Sequence, residues 1–412
     1  MSVKFNLEKN PADLVLKMAF LLLSTAFYSN SSAQAKILFD ATKAETAGSA
    51  DWVIDADIYN IGYSTGPAVP GTGNESNPQR IPTPSQSGIT SATAETYWSG
   101  ALSFWGIDCV NKGYIVETLP YNGVITYGNA SNPQDLSNYN AFIVCEPNIL
   151  FSAAEKTAIL DFIANGGGLF MVSDHTVSDR NNDGHDSPEI WNDLMQNNST
   201  GNTDPFGIIF DLQNFSQTSS NLAILPANDS ILHGAMGDVA KVLWSNGTSM
   251  TIDPTANSSV KAIIYKTGVV GPAGNNNIMV ATSRYGFGKI VAIGDSSPCD
   301  DGSGDPNDSL FPGYDGDVTP NHRHLLMNGI IWLVSRDPRN YIFTGNGNWN
   351  LPANWKNNIA PPLVLPAGDS ITINNIAGGQ CLLNVTEYIS PGATLVVLTG
   401  KSLMIPGLLN IQ

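Results

Sequence analysis

Positive charge is scarce in this chain. Its 412 residues carry 19 Lys and Arg against 36 Asp and Glu, a formal charge of −17. So acidic a surface repels nucleic acid and anionic polysaccharide, and leaves neutral glycans, peptides and bound cations as compatible partners. Cysteine is sparse too. Cys109, Cys145, Cys299 and Cys381 show neither CxxC nor Cys/His spacing, which argues against a zinc finger. An oxidising compartment permits a Cys145–Cys299 disulfide, since both follow predicted strands, but free buried thiols are the simpler reading. Long apolar runs are missing as well: none reaches the roughly 18 residues that a membrane span needs.

Near the start, Lys4, Lys9 and Lys17 lead into the apolar stretch 18–27, followed by the small-residue site Ala33-Gln34-Ala35. This is the pattern of a secretory signal. Residues 1–35 are expected to be removed and the rest to be secreted, whether periplasmic, cell-surface or extracellular. Removal takes away three lysines and two acids, so the charge moves from −17 to −18.

From residue 36 to 336 strand and helix alternate. KILFDAT (36–42), YIVETL (114–119), NAFIVCE (140–146) and GLFMVSD (168–174) read as apolar strands. ETYWSGALSFWGIDCVNKGY (95–114) predicts an amphipathic helix. A second helix follows Ser152 and Glu155, spaced as a capping box. KAIIYKT, NIMVATSRYGFGKIVAIGD and a last helix over 319–335, with Thr319 as cap and Pro320 at its first position, complete the domain. All-apolar strands separated by helices predict an α/β fold: a flavodoxin-like, mostly parallel sheet with helices on both faces. Two Gly/Ser/Asn/Pro-rich insertions, 62–93 and 196–225, are expected as surface loops, one of them folding over the site. Residues 341–412 predict a small all-β module. Trp349 and Trp355 either plug its core or stack on sugar rings.

The order of these elements, with GGGLFMVSDH, ATSRYGFGKIVAIGD and HRHLLMNGIIWL, resembles the class I glutamine amidotransferase-like superfamily, in its ThuA-like and secreted branches. The tail, with FTGNGNW, PANW and GKSLMIPG, is similar to β modules of Bacteroidetes-type surface proteins. The resemblance implies a nucleophile elbow after GLFMVS, where amidotransferases carry cysteine. Here Ser173-Asp174-His175 stands there instead, so glutamine hydrolysis through a thiolate is not expected.

Ligands of open α/β sheets bind beyond the carboxyl ends of the strands. Asp40, Glu146, Asp174 and Asp295 fall at those ends, and His175 follows Asp174. Asn321 and His322 open the last helix near the same edge. Acids and imidazoles converging from distant segments suit metal-assisted hydrolysis. Asp174, His175, Asp295, Ser296 and His322 are therefore the candidate catalytic residues. Asp179, Asn181, Asp183 and Gly184 match the first positions of a calcium loop, with Asp186 or Glu189 closing the shell, although position twelve is Ile190. Asp40, Asp174 and His175 join them as candidate ligands of a divalent metal, calcium first and zinc second. Arg180 instead offers an ion-pair partner to one of these acids.

The leading expectation is a secreted metal-assisted hydrolase acting on a glycan or glycoconjugate, the sugar preference coming from the resembling branch. The main alternative is a non-catalytic, calcium-stabilised surface or binding protein. A lesser one reads Gly294-Asp295-Ser296 as a serine-esterase block with Ser296 as attacker. It lacks the usual Asp-x-x-His, since Asp317 precedes His322 by five positions.

Overall fold

A computed structural model describes residues 34–47, 50–55, 85–217, 220–222, 227–268, 274–302, 313–316 and 321–412. The expected signal segment up to residue 33, residues 62–84 of the first insertion, and Thr319 and Pro320 lie outside the described residues. Among the described residues no helix is long and apolar enough to cross a membrane.

Five mutually parallel strands form the heart of a mixed sheet: β1 (Lys36–Asp40), β2 (Ile115–Leu119), β3 (Ala141–Cys145), β4 (Gly168–Val172) and β14 (Gly288–Ile293). Their order, β2-β1-β3-β4-β14, is that of flavodoxin-like sheets. Every residue of β3, β4 and β14 is buried. One face packs Phe39, Phe170 and Val172 under α1 (Ser103–Asn111) and α4 (Asn321–Val334). The other packs Leu38, Leu169 and Met171 under α2 (Ala153–Ala164) and α3 (Ser187–Gln196). Sheets buried on both sides read as unbroken apolar runs, which is why the sequence signal was clear here.

The capping box of α2 forms as predicted: Glu155 N–H donates to Ser152 Oγ at 3.3 Å, and Ser152 N–H to Glu155 Oε2 at 2.7 Å. The first predicted helix is corrected. Residues 95–97 make only a short 3-10 turn, and α1 begins at Ser103, because Gly100 packs its backbone against Val53.

The second insertion is more than a loop. It supplies β5 (Ile208–Phe210), β6 (Phe215–Gln217) and β7 (Ser220–Leu222). Beyond it come β8 (His233–Gly234), β9 (Gly237–Asp238), β10 (Trp244–Gly247), β11 (Met250–Ile252), β12 (Lys261–Lys266) and β13 (Ile278–Tyr285). Antiparallel β13 pairs with β14 and extends the sheet through β11 to β5, with β12 and β7 alongside.

The tail is an all-β module of a particular kind. Nine strands stack as three rungs: β15 (Asn340–Phe343), β16 (Gly347–Asn348) and β17 (Val364–Leu365); β18 (Ser370–Ile373), β19 (Cys381–Leu382) and β20 (Thr386–Ile389); β21 (Thr394–Val397), β22 (Leu403–Met404) and β23 (Leu408–Ile411). Every pairing between rungs is parallel, giving three sheets of three strands, a three-sided β-helix. Trp349 and Trp355 are buried, their rings edge to face with centroids 4.9 Å apart. They plug the core and are not available to sugar rings.

Candidate functional site

Because β1, β3, β4 and β14 run the same way, the residues that follow them share one rim. Glu146 is the pivot. It leaves β3 in the left-handed backbone region, at φ +48°, where a residue with a Cβ costs about 1–2 kcal/mol. Strained residues held in place cluster at functional sites. The carboxylate is fully buried: Oε1 accepts from Arg180 Nε at 2.5 Å, and Oε2 accepts from Ser296 Oγ at 2.9 Å.

Arg180 reaches back from the loop after β4 to hold two acids together. Its second nitrogen lies 3.7 Å from Asp174 Oδ2, which is itself 3.4 Å from His175 Nε2. His175 Nδ1 lies 2.5 Å from the carbonyl oxygen of Thr176. A carbonyl only accepts, so Nδ1 carries the proton and Nε2 faces Asp174. Asn148, two residues beyond Glu146, fixes the loop by accepting from Arg180 N–H at 3.2 Å and from Asn181 Nδ2 at 2.5 Å. Asp295 accepts backbone N–H bonds from Ser297 at 2.8 Å and from Ser245 at 2.5 Å.

Burial sets the charge states. Loss of water pushes the Asp174 carboxyl well above its ordinary range, and the neighbouring Glu146 and Asp295 charges push it further. Asp295 is raised to about 7, again mainly by burial, with its amide donors opposing and Glu146 adding. Arg180 and the His175 backbone N–H oppose the rise at Asp174, which is thus an acid of raised proton affinity beside an imidazole and within the field of a carboxylate paired to arginine.

Asp40 stands on the same rim one strand further out, in a cluster of its own. Thr42 donates to it at 3.0 Å, Lys43 lies nearby, and burial raises it to about 6. Lys43 pairs with Glu155 at 2.7 Å, and its carbonyl accepts from Asn148 N–H, which ties the β1 loop to the β3 loop. The sequence placed Glu146 on this rim without counting it among the working residues. Its signal was an acid directly after an all-apolar strand. Asn148 carried no such signal.

Other predicted residues are engaged elsewhere. His322 is buried, Nε2 accepting from Leu243 N–H at 2.8 Å and Nδ1 donating to the Gly313 carbonyl at 2.6 Å, so both ring nitrogens are taken. Ser296 has a carboxylate for its partner, not the imidazole that a serine esterase requires, and Asp317 lies outside the described residues. The calcium-like loop turns its acids onto its own backbone: Asp179 accepts from Gly184 and Asp183, Asp183 from His185, and Asp186 from Val177 and Ser178. Glu189 instead faces His185 at 3.7 Å. Among the described residues no three His, Cys, Asp or Glu side chains are grouped to hold a metal ion. The four cysteines are free and buried.

The second insertion does meet the site loop. Thr176 N–H donates to the Gln213 carbonyl at 2.9 Å, and Asn214 Nδ2 to the Thr176 carbonyl at 3.3 Å. Beside the loop a cavity of about 370 Å³ is lined by Leu150, His185, Glu189, Asn192 and Leu212, among others. The rim acids do not line it.

No family model matches the chain, and no curated protein does. Among solved structures it is similar to the mmIFT52 N-terminal domain, at 13% identity and a TM-score of 0.41, covering 74% of this chain and 99% of that one. It is also similar to the cytoplasmic protein STM3548 from Salmonella typhimurium, at 12% identity and a TM-score of 0.36, covering 56% and 85%. Likeness at this level says nothing about activity.

Proposed function

We propose that the chain is an exported hydrolase of class I glutamine amidotransferase-like ancestry, cleaving a neutral glycan or glycoconjugate by acid–base chemistry rather than through a thiolate. One observation carries the reading: a buried Asp174, its carboxyl pushed above the ordinary range, faces His175 across from a strained Glu146 that accepts a hydrogen bond from Ser296. Asp174 donates its proton to the leaving oxygen and His175, the partly exposed member, returns it from solvent. Glu146 accepts the proton of the attacking hydroxyl, from Ser296 or from water. Arg180 supplies the positive charge between Glu146 and Asp174, the role first given to a metal. The predicted ligands do not fit an ion, and no step runs through one.

The test is release of reducing ends from a panel of neutral polysaccharides. Asp174→Asn and His175→Ala should each lower turnover about 10²–10⁴-fold with the circular dichroism spectrum unchanged. A second reading, a non-catalytic surface or binding protein, is favoured by the closure of the network, since Glu146 and Asp295 are fully buried with their oxygens bonded. If no substrate turns over and both variants change only the melting temperature, that reading stands and the hydrolase falls.

A further inference from the structure

Another cavity lies at the opposite edge of the main sheet from the rim. Strand β13 runs antiparallel to β14, so Arg284, in register with Lys289, sits at the end away from Asp295. Lys261 opens β12 directly opposite Thr282 of β13, and Arg284 stands two places further on. All three therefore project from one face. With Trp332 from the end of α4 and Asp229 from the loop before β8, they line a cavity of about 270 Å³. That is room for a small ion or a single ring, at the lower end of ligand sites.

The uncommitted groups around this cavity are donors. Thr282 is 5% exposed, yet its hydroxyl makes no hydrogen bond among the described residues. Buried polar groups are nearly always bonded, so an unbonded one that lines a cavity points to a ligand. The Lys261 ammonium has no ion-pair or hydrogen-bond partner among the described residues, and the Trp332 indole N–H finds no acceptor there. Neighbouring hydroxyls are engaged: Ser283 donates to the Phe206 carbonyl at 2.6 Å, and Ser259 to Asn257 Oδ1 at 2.6 Å. Charge agrees with this. Arg284 pairs through Nη1 with Asp337, and its guanidinium lies over the Trp332 ring at 5.6 Å, with the rest of the fork left to donate. Asp229 is the one carboxylate lining the cavity, and its Oδ1 already accepts from the Ile231 and Leu232 N–H groups at 3.0 and 2.9 Å. Lys261 and Arg284 against Asp229 alone inverts the balance of a chain with 36 acids and 19 bases.

We propose that this cavity binds a small oxyanion, free or carried on a small organic molecule, through Lys261, Thr282 and Arg284. The ammonium and guanidinium supply charge, the threonine hydroxyl a directed donor, and the β12–β13 pair fixes their spacing. The site lies across the sheet from Glu146 and Asp174, so it stands or falls apart from the hydrolase reading.

Calorimetric titration of the full chain with inorganic phosphate, and separately with phenyl phosphate, reads this directly when chloride holds the ionic strength constant. Saturable binding at a single site is expected. Tighter binding of phenyl phosphate identifies a carried oxyanion, and equal binding the free ion. Lys261→Met should weaken binding by about 10–100-fold and the near-isosteric Thr282→Val by about 3–10-fold, the worth of a charge-assisted and a neutral hydrogen bond. Lys356→Met makes the same change of charge on the exposed surface of the β-helix and should alter nothing. No saturable binding of either probe, no loss in the two cavity variants, or an equal loss in Lys356→Met overturns the proposal.

Discussion

The two halves of the molecule each bury a carboxyl whose proton affinity is raised to about 7, and they treat it differently. At the rim, Asp295 accepts two backbone N–H bonds and feels the Glu146–Arg180 pair nearby. In the β-helix, Glu387 projects into the core with neither oxygen hydrogen-bonded, the Trp349 indole being the one polar neighbour that eases it. Both are desolvated; only the first is embedded in a network. A networked acid is poised by its partners, whereas a lone one simply prefers to stay neutral. That contrast separates a candidate active site from a buried ionisable group with no evident task.

The sharpest way to break the contrast is to remove the cation. Arg180→Met leaves Glu146 buried and unpaired, and should cost about 3–5 kcal/mol in urea denaturation at neutral pH. A loss near zero would mean that the rim is solvated and not a network. Next, Glu387→Gln should stabilise the chain by about 1–3 kcal/mol above pH 7 and leave it unchanged below pH 4. The sign follows from the raised affinity: the folded state holds the proton through the interval from the ordinary glutamate value up to about 7. The contribution of Glu387 to stability is therefore fully present below the ordinary glutamate value and lost as pH rises through that window, while the amide is indifferent. Denaturation midpoints at both pH values check this. The smallest effect concerns calcium. With the acids of 179–186 bonded to backbone amides, excess calcium or chelator should move the melting temperature by less than about 1 °C, and a larger stabilisation would restore the calcium loop.

What was legible in the sequence follows the same division. Residues 36–47 and 85–336 announced an α/β sheet because strands buried on two faces are apolar throughout, and because local signals such as Ser152 with Glu155 decide helix starts. The rim was legible too, since parallel strands deliver their terminal acids to one side whatever the loops do. Which acids pair was not, because Arg180 folds back 34 positions to Glu146, and nothing local marks that approach. In the tail, alternation gave β-structure but not the parallel stack. Pairing there joins Asn340 to Ser370 and Ser370 to Thr394, unequal intervals stretched in the first rung by the turn that carries both tryptophans. An irregular period hides a solenoid.

The coupling among the rim acids can be read directly by following carbon resonances of the aspartate carboxyls through a pH titration, in the wild-type chain and in Glu146→Gln. Asp295 should titrate near 7 in the wild-type chain and Asp174 above its ordinary range, and both should move down in Glu146→Gln while burial still holds them above ordinary aspartate values. If Asp174 and Asp295 titrate as exposed aspartates, or ignore the loss of the Glu146 charge, the rim is not one site.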